Sequence, residues 1–175
     1  MADFNKILNA GDVDNGVINV VVEIPKWSTL KIEWNRDLAC FQLDRVEPSI
    51  FPKPVNYGFI PQTLDEDGDE LDALIMTNEP IPTGVYLQAR VLGVMRFEDD
   101  GEVDDKIIVV PADDRNFDSP KTLDDVHQQW KQKIEHHFNH YKDLKKPGST
   151  KVLAWEDGEK AKVIIRECER RWAEK

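Results

Sequence analysis

VINVVVEIPKWSTLKIEWNRDLACFQLDRV, residues Val17 to Val46, decides the fold. Its first eight residues, Val17 to Ile24, are β-branched and nearly unbroken, which is the composition of a strand. Thr29 to Trp34 then alternates, with Lys31 and Glu33 on one face and Leu30, Ile32 and Trp34 on the other. After a turn at Asn35-Arg36-Asp37, Ala39 to Val46 resumes the extended pattern.

Outward from there, strands continue at Leu71 to Met76, Val85 to Phe97 and Lys106 to Val110, with a hairpin tip at Glu98 to Glu102. The passage holding Pro48, Pro52, Pro54 and Pro61 reads as loop or edge strand, because proline donates nothing to a ladder. Helix comes late. Leu123, Val126, Trp130, Ile134, Phe138 and Tyr141 form one stripe behind an N-cap at Thr122, and Pro147-Gly148 closes it. A second helix spans Glu159 to Trp172. Short strands followed by two helices predict a mainly β (α+β) fold, a barrel or curled sheet with helices packed on it.

The chain has 175 residues, 40% of them hydrophobic and 33% charged, which suits one domain spanning 1–175. No apolar run reaches membrane-spanning length, and MADFNKILNAGD has no signal-peptide core, so a cytoplasmic protein is expected. Cys40 and Cys168 read as small buried hydrophobes in a reducing compartment, with a disulfide as the minor alternative. A net charge of −11 argues against nucleic-acid and membrane partners. An anionic small substrate would need local cations to reverse that field.

Those cations have an evident anchor in DEDGDELD, Asp65 to Asp72, where six acidic side chains share eight positions. Carboxylates so crowded repel one another unless cations neutralise them, and an Asp-rich set favours Mg2+ or Mn2+ over zinc. Asp67 and Asp69 share a face of extended chain, and Gly68 permits a sharp bend between them. An EF-hand loop counted from Asp65 fails: Glu70 stands where it needs Gly, and Met76 where it needs Glu. A solvated acidic turn remains the bland alternative. Against it stand Asp99, Asp104 and Glu23 as further carboxylates, with Lys31, Arg45, Lys106 and Lys142 as cations suited to a polyanion.

The ordered series Glu23-Ile-Pro, Lys31 with Glu33, Asp44-Arg45, Asn56-Tyr57-Gly58, Asp67-Gly68-Asp69-Glu70-Leu71-Asp72, Val110-Pro111 and His140 to Leu144 resembles the soluble family I inorganic pyrophosphatases of bacterial type. The acidic piece is similar to the family signature D-G-D-P-x-D. The resemblance implies a closed OB-type five-stranded β-barrel with two flanking C-terminal helices. It also implies hydrolysis of pyrophosphate to two phosphates by a water activated by Mg2+, two or more ions, with Mn2+ as a possible substitute. By the same resemblance, Asp67, Asp72, Asp104, Asp99 and Glu23 hold metal, with Glu33 supporting that acidic shell. Asp69 is the general base, with Arg45 and Tyr57 also catalytic. Lys31, Arg45, Lys106, Tyr141 and Lys142 grip phosphate oxygens. Related enzymes commonly form hexamers, so a homo-oligomer is implied. The alternatives are a Mg2+ phosphohydrolase acting on another phosphoanhydride and a catalytically silent metal-binding barrel.

Two departures stand out. Glu70 replaces the signature proline and is expected to point to solvent with little effect on catalysis. Lys53 occupies a place where the family commonly has tyrosine, and is held as a substrate residue. His136 and His140 lie one helical turn apart, a spacing that more simply gives a polar face or subunit contact than a zinc site. Trp27, Trp34, Trp130, Trp155 and Trp172 read as packing residues.

Overall fold

The computed structural model describes residues 3–116 and 119–175. The chain forms helix α1 (Phe4–Ile7), then strands β1 (Gly11–Asp12), β2 (Val17–Ile24), β3 (Leu30–Asn35), β4 (Cys40–Val46) and β5 (Asn56–Phe59). Strands β6 (Asp72–Ile75), β7 (Tyr86–Asp99), β8 (Glu102–Val103) and β9 (Lys106–Pro111) follow. A 3-10 turn at Leu123–Asp125 leads to helix α2 (Gln128–His140), strand β10 (Thr150–Asp157) and helix α3 (Gly158–Ala173).

Pairing closes a ring of five strands: β2 with β5, β5 with β6, β6 with β9, β9 with β7, and β7 back to β2. This is the expected OB-type arrangement. Only the β6–β9 pair is parallel. Strand β10 adds to the free side of β7, while β3 and β4 form a separate two-stranded sheet.

The two-residue period of a strand sends neighbours to opposite faces, and here both faces are covered. In β6, Ala73 and Ile75 join the core that takes Ala161, Ile164, Ile165 and Cys168 from α3. Leu74 joins the core that takes Ile134 and Phe138 from α2. Burying one such aliphatic side chain contributes about 1.5–3 kcal/mol. The unbroken Val20-Val21-Val22 run has the same origin, with Val20 and Val22 in the α3-side core and Val21 against Phe4, Trp34 and Phe59. The β2–β5 contact is so close that a Cβ on Gly58 would stand 2.1 Å from the Val21 carbonyl oxygen.

Several expectations are corrected. Strand β5 lies inside the proline passage but pairs on both sides, so it is central rather than edge. The prolines flank it instead of entering it. The stripe from Thr122 is not one helix. Thr122 and Asp125 make a reciprocal capping box on the 3-10 turn alone, and Val126 and His127 are extended at ψ 122 and 134. His127 is the true cap of α2, its ring nitrogen accepting from the Gln129 amide at 3.1 Å. Leu123 and Val126 still enter the α2-side core, so the apolar spacing runs through the break.

Strand β10, the short strand β1 and helix α1 are additional elements. Trp34 is buried, but Trp27 is 59% exposed and does not pack in the core. Both cysteines are free; Cys168 is buried, whereas Cys40 is only half-buried. Among the described residues no helix is long and apolar enough to cross a membrane.

Candidate active site

The candidates read from the sequence line one cavity of about 430 Å3. The strands explain how. Register places Asp72, the first residue of β6, directly opposite Lys106, the first of β9. Lys106 is almost fully buried, and its ammonium lies between Asp72, at 2.5 Å, and Asp104. Tyr57, from β5, donates its hydroxyl to the same Asp72 oxygen, Oδ2, that accepts from Lys106. Asp99 ends β7 and receives Lys142 from the end of α2, with the Tyr141 hydroxyl at 3.5 Å. In the two-stranded sheet Lys31 lies opposite Arg45. Lys31 pairs with Glu33, while Arg45 pairs with Asp44 at 2.6 Å and Glu47 at 2.7 Å.

Glu23 closes the arrangement from β2. Its carboxyl is buried, accepts the Trp34 amide at 2.6 Å, and is raised well above the usual range by burial and then by Asp72. Burial raises Asp72 as well, with Asp104 adding to it against the pull of Lys106. Asp67 and Asp69 reach solvent, yet desolvation by the surrounding chain raises both; Asp104 adds for the first and Glu70 for the second. Burial opposes charge on Lys31 and Lys106, but Glu33 outweighs it at the first, and Asp72 with Asp104 at the second, so both ammoniums are held charged. Burial raises the Tyr57 and Tyr141 phenols, Asp72 and Asp99 adding to it, so each stays a hydrogen-bond donor.

This donor set suits hard divalent cations. It is all oxygen, burial and then neighbouring carboxylates raise Glu23, Asp67, Asp69 and Asp72, and one buried oxygen, Oδ1 of Asp99, has no hydrogen-bond partner. Asp72 and Asp104 already share one cation, the Lys106 ammonium. Among the described residues, however, no three acidic, imidazole or thiol groups stand together as a ready-made cage. Asp67, Asp72 and Asp104 face one cavity without converging on one point.

Glu70 departs most from expectation. It is buried instead of solvent-facing, bound by the Arg36 guanidinium at 2.8 and 2.9 Å and by the Asn5 side-chain amide at 2.6 Å. A carboxylate in place of proline keeps its charge inside by recruiting partners from distant segments. Lys53 is buried too, its ammonium 4.9 Å from the ring centres of both Tyr57 and Tyr141. Burial, then Lys106, push it from 10.5 down to about 8. His136 and His140 sit on an exposed face with rings 4.6 Å apart, and His140 is bound to Asp143 at 2.8 Å.

Three structural partners escaped the sequence reading. Arg36 and Asn5 hold Glu70, while Arg171 holds Asp65 at 3.1 Å and the Leu64 carbonyl at 2.8 Å. Asp65 is itself buried, which raises it to about 7, and it serves as a foot of the loop, not a cavity-facing ligand. Only the break of alternation at Asn35-Arg36-Asp37 marked that turn as special.

The family model described as Inorganic pyrophosphatase matches residues 20–173. An inorganic pyrophosphatase from Neisseria meningitidis serogroup B is 68% identical over 173 residues, covering 98% of each chain. One from Haemophilus influenzae is 64% identical over 176 residues and the full length of both. The crystal structure of an inorganic pyrophosphatase from Neisseria gonorrhoeae superposes with a TM-score of 0.96 at 66% identity, covering 98% of this chain and 99% of that one. That from Thermus thermophilus gives 0.88 at 39% identity, covering 95% and 97%. With that likeness running the length of the fold and its cavity, the chain belongs to the inorganic pyrophosphatase family.

Proposed function

We propose that this chain hydrolyses inorganic pyrophosphate to two phosphates with the help of Mg2+, two or more ions, for which Mn2+ can substitute. The observation that carries the reading is the meeting of carboxylates from β2, β6, β7 and the 65–72 loop with lysines and Arg45 in one cavity. Asp67, Asp72 and Asp104 would hold one ion, and Asp99 and Glu23 would help hold the others, with Glu33 supporting that acidic shell. When bound, Mg2+ neutralises phosphate oxygens and makes water more acidic.

The protein's own groups then divide the work. Asp69, its pKa raised by desolvation and then by Glu70, takes the proton of the attacking water as general base. Arg45 presents a planar fork to two phosphate oxygens at once, and Lys31, Lys142 and Lys106 act as point charges. The Tyr57 and Tyr141 phenols, held protonated, donate hydrogen bonds. Lys53, desolvated among aromatic rings, regains a counter-charge when the polyanion enters. Charge spread over the transferring phosphoryl is thereby met by donors fixed in advance, which need no reorganisation during the reaction. The chain works as one domain in the cytoplasm, as a homo-oligomer, a hexamer, with no nucleic-acid or membrane partner.

The test is phosphate release from pyrophosphate with Mg2+, with EDTA, and beside ATP or short polyphosphate. Rapid Mg2+-dependent release that EDTA abolishes and ATP does not match supports the reading. Release indifferent to EDTA, or ATP cleaved as fast, overturns it.

A further inference from the structure

The 65–72 loop carries three carboxylates into the cavity, but its tip around Gly68 has little packing of its own. At Gly68 the backbone turns through φ +94, and no heavy atom lies within 4 Å of where a Cβ would be. Within the loop, the Asp65 amide donates to the Asp69 carbonyl at 2.7 Å, and the Asp69 amide donates to Asp67 at 3.0 Å. Those bonds shape the tip without fixing where it points. Mutual repulsion among Asp67, Asp69 and Asp72 acts to splay it.

Leu71, buried in the core, ties the end of the loop to the fold, its amide donating to the Thr63 hydroxyl and its carbonyl accepting the Ile60 amide, each at 2.9 Å; the acidic part before it is held at two feet. Arg171 of α3 holds the first, at Leu64 and Asp65. Arg36, from the β3–β4 turn, holds the second. Its fork grips both oxygens of Glu70, and one nitrogen also donates to the Gly68 carbonyl at 3.3 Å. The guanidinium lies 5.3 Å from the centre of the Trp172 ring, so the grip is backed by the end of α3. Asn5 completes it, donating to Glu70 while its own oxygen accepts the Gln62 amide at 2.8 Å. Two segments distant in sequence, one of them backed by α3, thus converge on Glu70, beside Asp69.

We infer that Arg36, acting through Glu70, is a positioning residue that fixes the acidic loop and thereby sets its affinity for divalent cations. This rests on the metal-binding role proposed above for the loop. The sign of the effect separates positioning from simple electrostatics. Arg36 is a cation beside Asp69, so as a mere charge it weakens cation binding and its removal tightens it. As a clamp it does the reverse, because an outer partner that orients a carboxylate ligand is worth about 10- to 100-fold in metal affinity.

The experiment titrates purified protein with Mn2+ alone, without substrate, reading free Mn2+ by electron paramagnetic resonance. Arg36→Gln is expected to bind Mn2+ about 10-fold more weakly. Arg36→Lys keeps the charge but not the fork, so it is expected to weaken binding as well. At saturating Mg2+ both should retain a near-normal kcat, with the loss confined to the cation requirement. Should Arg36→Gln fail to fold by circular dichroism, Arg36→Lys decides. Binding by the folded variants as tight as wild type, or tighter, overturns the inference. Wild-type protein that takes up no Mn2+, or uptake unchanged in Asp72→Ala, overturns the metal role of the loop instead.

Discussion

The parallel pair β6–β9 is only a few residues long, yet its two ends follow opposite rules. At one end Asp72 faces Lys106, with Asp104 and Tyr57 on the same charges. Two residues on, Leu74 faces Ile108, both fully buried in the α2-side core. The apolar end gains stability by excluding water. The charged end loses some, because its groups are desolvated and crowded. The first holds the second in place: carboxylates that repel one another stay together because the strands beneath them cannot part.

The sharpest way to break this contrast is Asp69→Asn, which removes a proton acceptor and touches no core residue. We expect a loss of about 100- to 10,000-fold in kcat with an unchanged melting temperature. A large drop in melting temperature would show that the site does structural work as well. The converse is Leu74→Ala. It should cost about 2–5 kcal/mol in denaturant unfolding while kcat per folded molecule stays close to wild type.

Lys53→Met probes the border between the two regions. Because the fold depresses this lysine from 10.5 to about 8, it favours the neutral form. Wild-type stability from this group is therefore present above the ordinary lysine range and is lost as pH falls through about 8. At pH 7 the variant should be more stable by roughly 3 kcal/mol, and it should lack that loss between pH 10.5 and 8, while its KM for pyrophosphate rises. A variant less stable at pH 7 would mean that Lys53 is already compensated in the substrate-free protein. The smallest effect belongs to Trp27→Ser on the exposed rim, expected within about 0.5 kcal/mol of wild type.

How much of this was legible follows from where each signal resides. Strand β2 was readable to its ends because a β-branched run buried on both faces admits one interpretation. Strand β10 was not, because its register shifts between Val152 and Ala154, and Lys151, Leu153 and Ala154 all face solvent. The break before α2 hid behind Leu123 and Val126, which keep helical spacing across a turn that is not α-helical. The cavity residues came from motif order, since β3, β6 and β9 lie far apart in sequence and nothing local joins them. Glu70 misled for a related reason: its partners Arg36 and Asn5 stand 34 and 65 positions away.

Gly58 lies at the seam where β2 and β5 meet, one residue from Tyr57. Even a methyl group there would wedge two neighbouring walls apart and carry the phenol away from its carboxylate. A library randomised at this codon should therefore return glycine alone among active clones, although the residue has no side chain with which to touch a substrate.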